Sequence, residues 1–249
     1  MLAAVSSPAR VRRRTAAPSE RVRVRRVHDK AAYDRDAVKA ILDEALVAHV
    51  GFAHDGQPFV IPTLHARVGE QVYVHGSSAS RTLRALGAGV PMCLTVTLLD
   101  GMVFARSMFE MSANYRSAVV LGNGRPVTGE QEKLRALEAF SEQVLPGRWE
   151  QVRKPTRQEL KATAVLALSL DEASAKISTG GPDDGEGEDA ALDVWAGHVP
   201  IRLVAGLPVP CPHLRPGIEP PSGIAGYQGR LTPACQAPAR AAARARTAS

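Results

Sequence analysis

The run Val74-His75-Gly76-Ser77-Ser78-Ala79-Ser80-Arg81-Thr82 gathers the groups that a phosphate-bearing ligand needs. Gly76 and the serines allow close backbone approach, and their hydroxyl and main-chain N–H groups can donate to an anion. A helix beginning near Ser80 would add its positive end, and Arg81 a planar fork suited to phosphate oxygens. The chemistry is anion binding at a strand-to-helix junction. The plain alternative is a Ser-rich turn with a solvated arginine, because small polar residues favour turns for conformational reasons alone.

The elements that must position this run follow from periodicity. Asp36–Val47 is expected to be a helix, with Val38, Ile41, Leu42, Ala45 and Leu46 on one face and Asp34 or Asp36 as N-cap. Strands are expected at Ala48–Ala53 and Pro58–Ala66 around a His54-Asp55-Gly56-Gln57 turn, and at Gln71–His75. A short helix follows near Ser80–Leu86. Pro91–Leu99 and Met102–Ser107 suggest a hairpin about Asp100-Gly101, and Asn114–Gly122 another strand. Glu130–Leu145 reads as a helix with Leu134, Leu137, Phe140 and Val144 inward, and residues 157–163 as a helical turn. Ala164–Ser178 is expected as one strand and Val194–Val204 as the last, with an acidic solvated loop over Gly180–Asp189 between them. Helices are missing between most successive strands, so the pattern predicts a mainly β fold with α decoration: an antiparallel six- to seven-stranded barrel.

Charge is unevenly placed. Residues 1–26 carry eight arginines against Glu20, a net +7, and the last 23 residues carry four arginines and no acid. The chain's formal +6 therefore leaves residues 27–226 at −5. The expected organisation is a disordered basic extension (1–20), one domain (21–210) and a disordered Pro/Ala/Arg-rich tail (211–249). Such arms hold nucleic acid non-specifically or are simply solvated, and no specific nucleic-acid partner is expected. Aromatic residues make up only 4% of the chain, which argues against a base-stacking platform. Cys93, Cys211 and Cys235 are too few for a disulfide framework, in keeping with a reducing cytoplasm. No apolar run is long enough to span a membrane. The Arg-rich N-terminus lacks the apolar core of a secretory signal. His49, His54, His198 and His213 show no metal-ligand spacing, the acidic run Asp183–Asp189 lacks calcium-loop order, and the serines do not form a nucleophile elbow. His65 is read as a solvated or pocket-wall residue, with a proton donor at a ligand edge as the alternative.

Three blocks together carry a family resemblance: Asp55-Gly56-Gln57-Pro58-Phe59-Val60-Ile61-Pro62-Thr63, Val72–Arg81, and Asn114-Tyr115-Arg116-Ser117-Ala118-Val119-Val120. The chain resembles the FMN-binding split-barrel proteins related to pyridoxamine 5′-phosphate oxidase, in particular their flavin-nucleotide-binding branch with nitroimidazole-resistance-type members. The resemblance implies a split barrel that binds FMN at a homodimer interface. It places Val60, Ile61, Pro62 and Thr63 along the isoalloxazine, and His75, Gly76, Ser77, Ser78, Arg81 and Thr82 at the ribityl chain and phosphate. Tyr115, Arg116 and Ser117 fall in the block that closes the site. The implied activity is flavin-dependent oxidation or reduction of a small molecule, with a nicotinamide or deazaflavin donor. A non-catalytic module for flavin, deazaflavin or haem is the alternative. Two departures stand out: Thr82 replaces a lysine found in many members, and Trp195–Arg202 resembles the tryptophan–glycine–arginine segment of the vitamin B6 enzymes at the wrong spacing. Vitamin B6 synthesis is not expected.

Overall fold

The computed structural model describes residues 16–227. Residues 1–15 and 228–249, which hold most of the expected basic extension and tail, lie outside them. Ten strands run in chain order: β1 (Ala31–Ala32), β2 (Val47–His54), β3 (Gln57–Val68), β4 (Gln71–Ser77), β5 (Pro91–Phe104), β6 (Ser112–Asn123), β7 (Arg125–Pro126), β8 (Thr163–Ser169), β9 (Ala173–Ser178) and β10 (Gly197–Pro200). All pairings are antiparallel, in the order β1-β9-β6-β5-β2-β3-β4-β8-β7, with β10 on β5. The sheet does not close. This is the expected mainly β split barrel, with more strands than predicted because several are short.

Six helices decorate it: α1 (Arg35–Glu44), α2 (Arg81–Gly87), α3 (Glu130–Val144), α4 (Arg148–Gln151), α5 (Arg157–Ala162) and α6 (Ser222–Ala225). Asp34 caps α1 by accepting from the Asp36 N–H, and Ser80 caps α2 by accepting from Leu83. α1 lays Val38, Ile41 and Leu42 into the main core, which joins Val50, Val72, Val74, Leu94, Val96, Val120, Leu166 and Leu170 inside the curved sheet. On the outer face of β3, β4 and β8, a second cluster packs Ala66, Tyr73, Val165 and Ala167 against Ala136 and Phe140 of α3. The strands β4 and β8 are therefore buried on both faces along their middles, which suits the apolar run of β8 and the Val72-Tyr73-Val74 centre of β4.

Three expectations are corrected. Asp100-Gly101 is a bulge inside the single strand β5, where the register with β6 slips between Leu99 and Gly101. A Cβ at Gly101 would stand 2.9 Å from the Val199 carbonyl oxygen, so glycine admits the close crossing of β10 rather than a turn. The stretch Ala164–Ser178 is two strands, broken by a 3₁₀ turn at Leu170–Glu172 that carries the chain from β4's edge to β6's. The acidic loop after Gly180 is anchored: the Asp184 carboxylate is buried and accepts from the main chain and guanidinium of Arg106. Near the start of the described chain, Val22 is buried and Ser19 donates to Glu172.

Candidate functional site

The site begins where two strands part. β3 and β4 pair from Val68↔Gln71 to His65↔Val74 and then separate, β3 continuing along β2 and β4 along β8. Phe59–Pro62 is thus an exposed stretch of strand whose far edge has lost its neighbour. Proline suits such an edge, since Pro58 and Pro62 leave no N–H there to satisfy. The opposite wall is the end of β4 and the start of α2.

A cavity of about 130 Å³ occupies the fork. Ile61, Pro62 and Thr63 line it from β3, His75, Gly76 and Ser77 from β4, and Thr82 from α2, over a floor of Val50, Val74, Leu83 and Leu86. Seven of the expected site residues therefore meet around one space. Val60, Ser78 and Arg81 are exposed beside it rather than in its lining. Tyr115, Arg116 and Ser117 are elsewhere, on β6, with β5 and β2 between them and β3 in the sheet.

The junction uses its polar groups differently from the sequence reading. The main-chain N–H of Ser78 donates to the Ala162 carbonyl at 2.8 Å, that of Ser80 to Ser77 at 2.9 Å, and that of Ala79 to the Ser77 hydroxyl at 3.2 Å. Those three donors are spent on the corner's own shape. The side-chain donors left for a ligand are the hydroxyls of Ser77, Ser78 and Thr82 and the guanidinium of Arg81, which has no ion pair among the described residues. Gly76 also serves the corner: a Cβ there would come within 3.0 Å of Leu83, so glycine lets α2 seat against β4.

His75 is half-buried beneath Phe140, with ring centroids 4.1 Å apart. Its Nδ1 is buried with no hydrogen-bond partner, and burial lowers its pKa below the ordinary histidine value. Its ring packs on the outer face of β4 with Phe140 and Val165, while the residue borders the cavity at the end of the strand. His65, in contrast, is fully buried, with Nε2 2.9 Å from the Leu42 carbonyl. It is a core residue joining β3 to α1, neither solvated nor at the cavity. Arg116 is clamped by Glu44 and by Asp100, the latter at 2.8 and 2.9 Å, and these carboxylates raise its pKa further. Ser117 donates to the Lys176 carbonyl at 3.4 Å. The Glu44–Arg116–Asp100 cluster was missed in the sequence because its members lie far apart along the chain. The same is true of Gln143, whose amide donates to the carbonyls of Asp43 and Ala45 at 2.8 and 3.1 Å. Among the described residues no cluster of histidine, cysteine and acids could hold a metal ion, and no helix is long and apolar enough to cross a membrane.

An open split barrel with a forked cleft and a Ser/Arg corner defines the class of protein. Residues 34–177 match the pyridoxamine 5′-phosphate oxidase family, and the chain belongs to that family. Among solved structures, the flavocytochrome Anf3 from Azotobacter vinelandii is 45% identical, over 84% of this chain and 96% of that one, with a TM-score of 0.79. The FAD and haem binding protein from Mycobacterium smegmatis is 39% identical, over 80% and 98% of the two chains, with a TM-score of 0.76. A candidate 5-nitroimidazole antibiotic resistance protein from Bacteroides thetaiotaomicron shares the fold at 18% identity, over 59% and 86%, with a TM-score of 0.51. No curated protein matches the chain.

Proposed function

We propose that this chain is a flavin-dependent oxidoreductase that holds FMN in the fork between β3 and β4, at the interface of a homodimer, and works on a small molecule in the cytoplasm. The observation that carries the reading is the fork itself. It sets the apolar strand Val60–Ile61–Pro62 across from a corner that offers hydroxyls and an unpaired guanidinium. An anionic phosphate suits the corner, where Arg81, Ser78, Ser77 and Thr82 would hold it by charge-assisted and neutral hydrogen bonds. A flat ring suits the strand, with Ile61, Pro62 and the floor residues Val50 and Leu86 excluding water. Thr63 lies between the two ends, where its hydroxyl can hydrogen-bond a ribityl chain or ring edge, and His75 borders the same space. When bound, the flavin supplies the hydride or electron transfer. Tyr115, Arg116 and Ser117 would contribute only from the second subunit. The free thiols of Cys93 and Cys211 are in keeping with a reducing compartment.

The two relatives at 45% and 39% identity favour a second reading, in which the flavin is FAD and a haem accompanies it. Purification with the cofactor retained separates these readings. The first expects an oxidised-flavin spectrum and released FMN by mass; the second adds a Soret band and released FAD. A colourless protein that takes up neither flavin overturns both.

A further inference from the structure

We propose that the segment Arg202–Pro221 is a strap that lies across the β3 wall of a second copy of this chain and so completes that copy's cleft. This inference rests on the flavin reading for the role of the cleft, though not for the docking itself. The strap leaves the sheet just after β10, where the Ile201 N–H donates to the Asp100 carbonyl at 3.0 Å. It rejoins the body past α6, where the Tyr227 hydroxyl donates to the Val144 carbonyl at 3.0 Å at the end of α3. Between these ties it stands bare. Leu203, Val204, Leu207 and Val209 are 66–90% exposed, and no charged residue occurs from Leu203 to Pro212. Six prolines (208, 210, 212, 216, 220 and 221) stiffen it, which lowers the entropy lost on docking.

The same chain carries a matching need. Val47, Val60 and Leu64 are exposed apolar residues on one face of the β2–β3 hairpin, with Phe59 and Ile61 exposed on the other, and Val60 is 66% exposed. The cavity beside them, about 130 Å³, is well below the roughly 300–1,000 Å³ of a pocket that encloses a cofactor. No strap residue lines the cavity of its own chain. A two-fold axis that lays each strap on the other copy's hairpin covers both surfaces at once and closes the assembly at two. The strap and hairpin together approach the roughly 20–30 residues per side of a standard interface.

Cross-linking tests the juxtaposition. Cys211 is exposed on the strap, so the full chain with Val60→Cys, in a Cys235→Ser background, is treated with a long-arm bismaleimide. The expected product is a covalent dimer on a denaturing gel, absent when Cys211→Ser is added and absent when Val60 is left in place. A cross-link that leaves the chain at monomer mass would mean the strap folds onto its own wall, and no cross-link would mean it docks elsewhere; either overturns the proposal. Leu207→Asp with Val209→Asp supplies an independent measure, since both side chains are in solvent and the fold can be checked by circular dichroism. A folded variant is expected to dimerise at least tenfold more weakly and to hold flavin at least tenfold more weakly. A dimer unchanged in both respects overturns the proposal. Covalent dimers without flavin in the parent protein would sink the flavin reading and leave the docking standing, whereas flavin binding without cross-linking would do the reverse.

Discussion

Arg81 is exposed at the cleft with no ion pair among the described residues, whereas Arg116 is clamped between Glu44 and Asp100. An arginine whose donors are unspent can meet an incoming anion without first breaking an internal bond. Arg81→Ala is therefore expected to weaken flavin binding by at least about 1 kcal/mol, the scale of a charge-assisted hydrogen bond, or roughly fivefold in Kd. Titration of the apoprotein with FMN followed by fluorescence quenching checks it, and an unchanged Kd would remove Arg81 from the site. His65 makes a different prediction. Burial holds its pKa below the ordinary 6.5, so the unfolded chain binds more protons than the folded one as the solution is acidified. Its contribution to stability is complete above about pH 6.5 and is lost as pH falls through the folded-state value. His75 has the same sign, through burial alone. His65→Gln keeps a donor for the Leu42 carbonyl and removes the titration, so its urea-unfolding midpoint should fall less steeply between neutral and acid pH than the parent's. A profile as steep as the parent's would show that His65 has no part in the acid limb.

The fork between β3 and β4 is built by elements that hold their ends apart, and α1 is one of them, because His65 on β3 ties to its last turn. That turn would leave carbonyls unsatisfied in the interior but for Gln143, a buried side chain of α3 that donates to Asp43 and Ala45. Gln143→Leu keeps the bulk and orphans those acceptors, at an expected cost of about 1–3 kcal/mol in unfolding free energy by urea titration. A loss below about 0.5 kcal/mol would mean that water replaces the amide. This contact also marks the limit of sequence reading. The helix spacing, an N-cap at Asp34 or Asp36, the start of α2 near Ser80 and the Asp55-Gly56 hairpin were legible because each is decided within a few residues. The break at Leu170–Glu172 was not read, although Ser169, Asp171 and Glu172 mark it, because the apolar residues on either side fit one continuous strand. Gln143, the Glu44–Arg116–Asp100 cluster and the spent N–H group of Ser78 were hidden for another reason: their partners are set by topology, not by spacing. The cleft residues of β3 and β4 were found as two separate motifs, and only the parting of the strands makes them one site.

At the scale of the whole molecule, the net positive charge comes from residues outside 16–227. Residues 16–227 carry a formal net charge of −2, while residues 1–15 and 228–249 each contribute four arginines and no acid. Within the described part, Glu20 engages Arg23 and Arg25, at 2.8 Å and 3.8 Å, so some of the remaining basic charge is already offset. Polyanion binding scales with the number of phosphates neutralised, and its affinity falls with the logarithm of salt concentration in proportion. The full chain is thus expected to be retained on heparin at low salt and released as salt rises. A 16–227 variant should pass through the column with its thermal midpoint and flavin content unchanged, because it keeps the cleft lining, caps and core clusters of the described residues. Retention of that variant would place a phosphate-binding face on the acidic body, where the charge distribution gives no reason for one, and loss of flavin on truncation would make an arm part of the site. With both absent, anion binding by the arms and cofactor binding by the cleft are independent, which follows when the two functions draw on different charged residues.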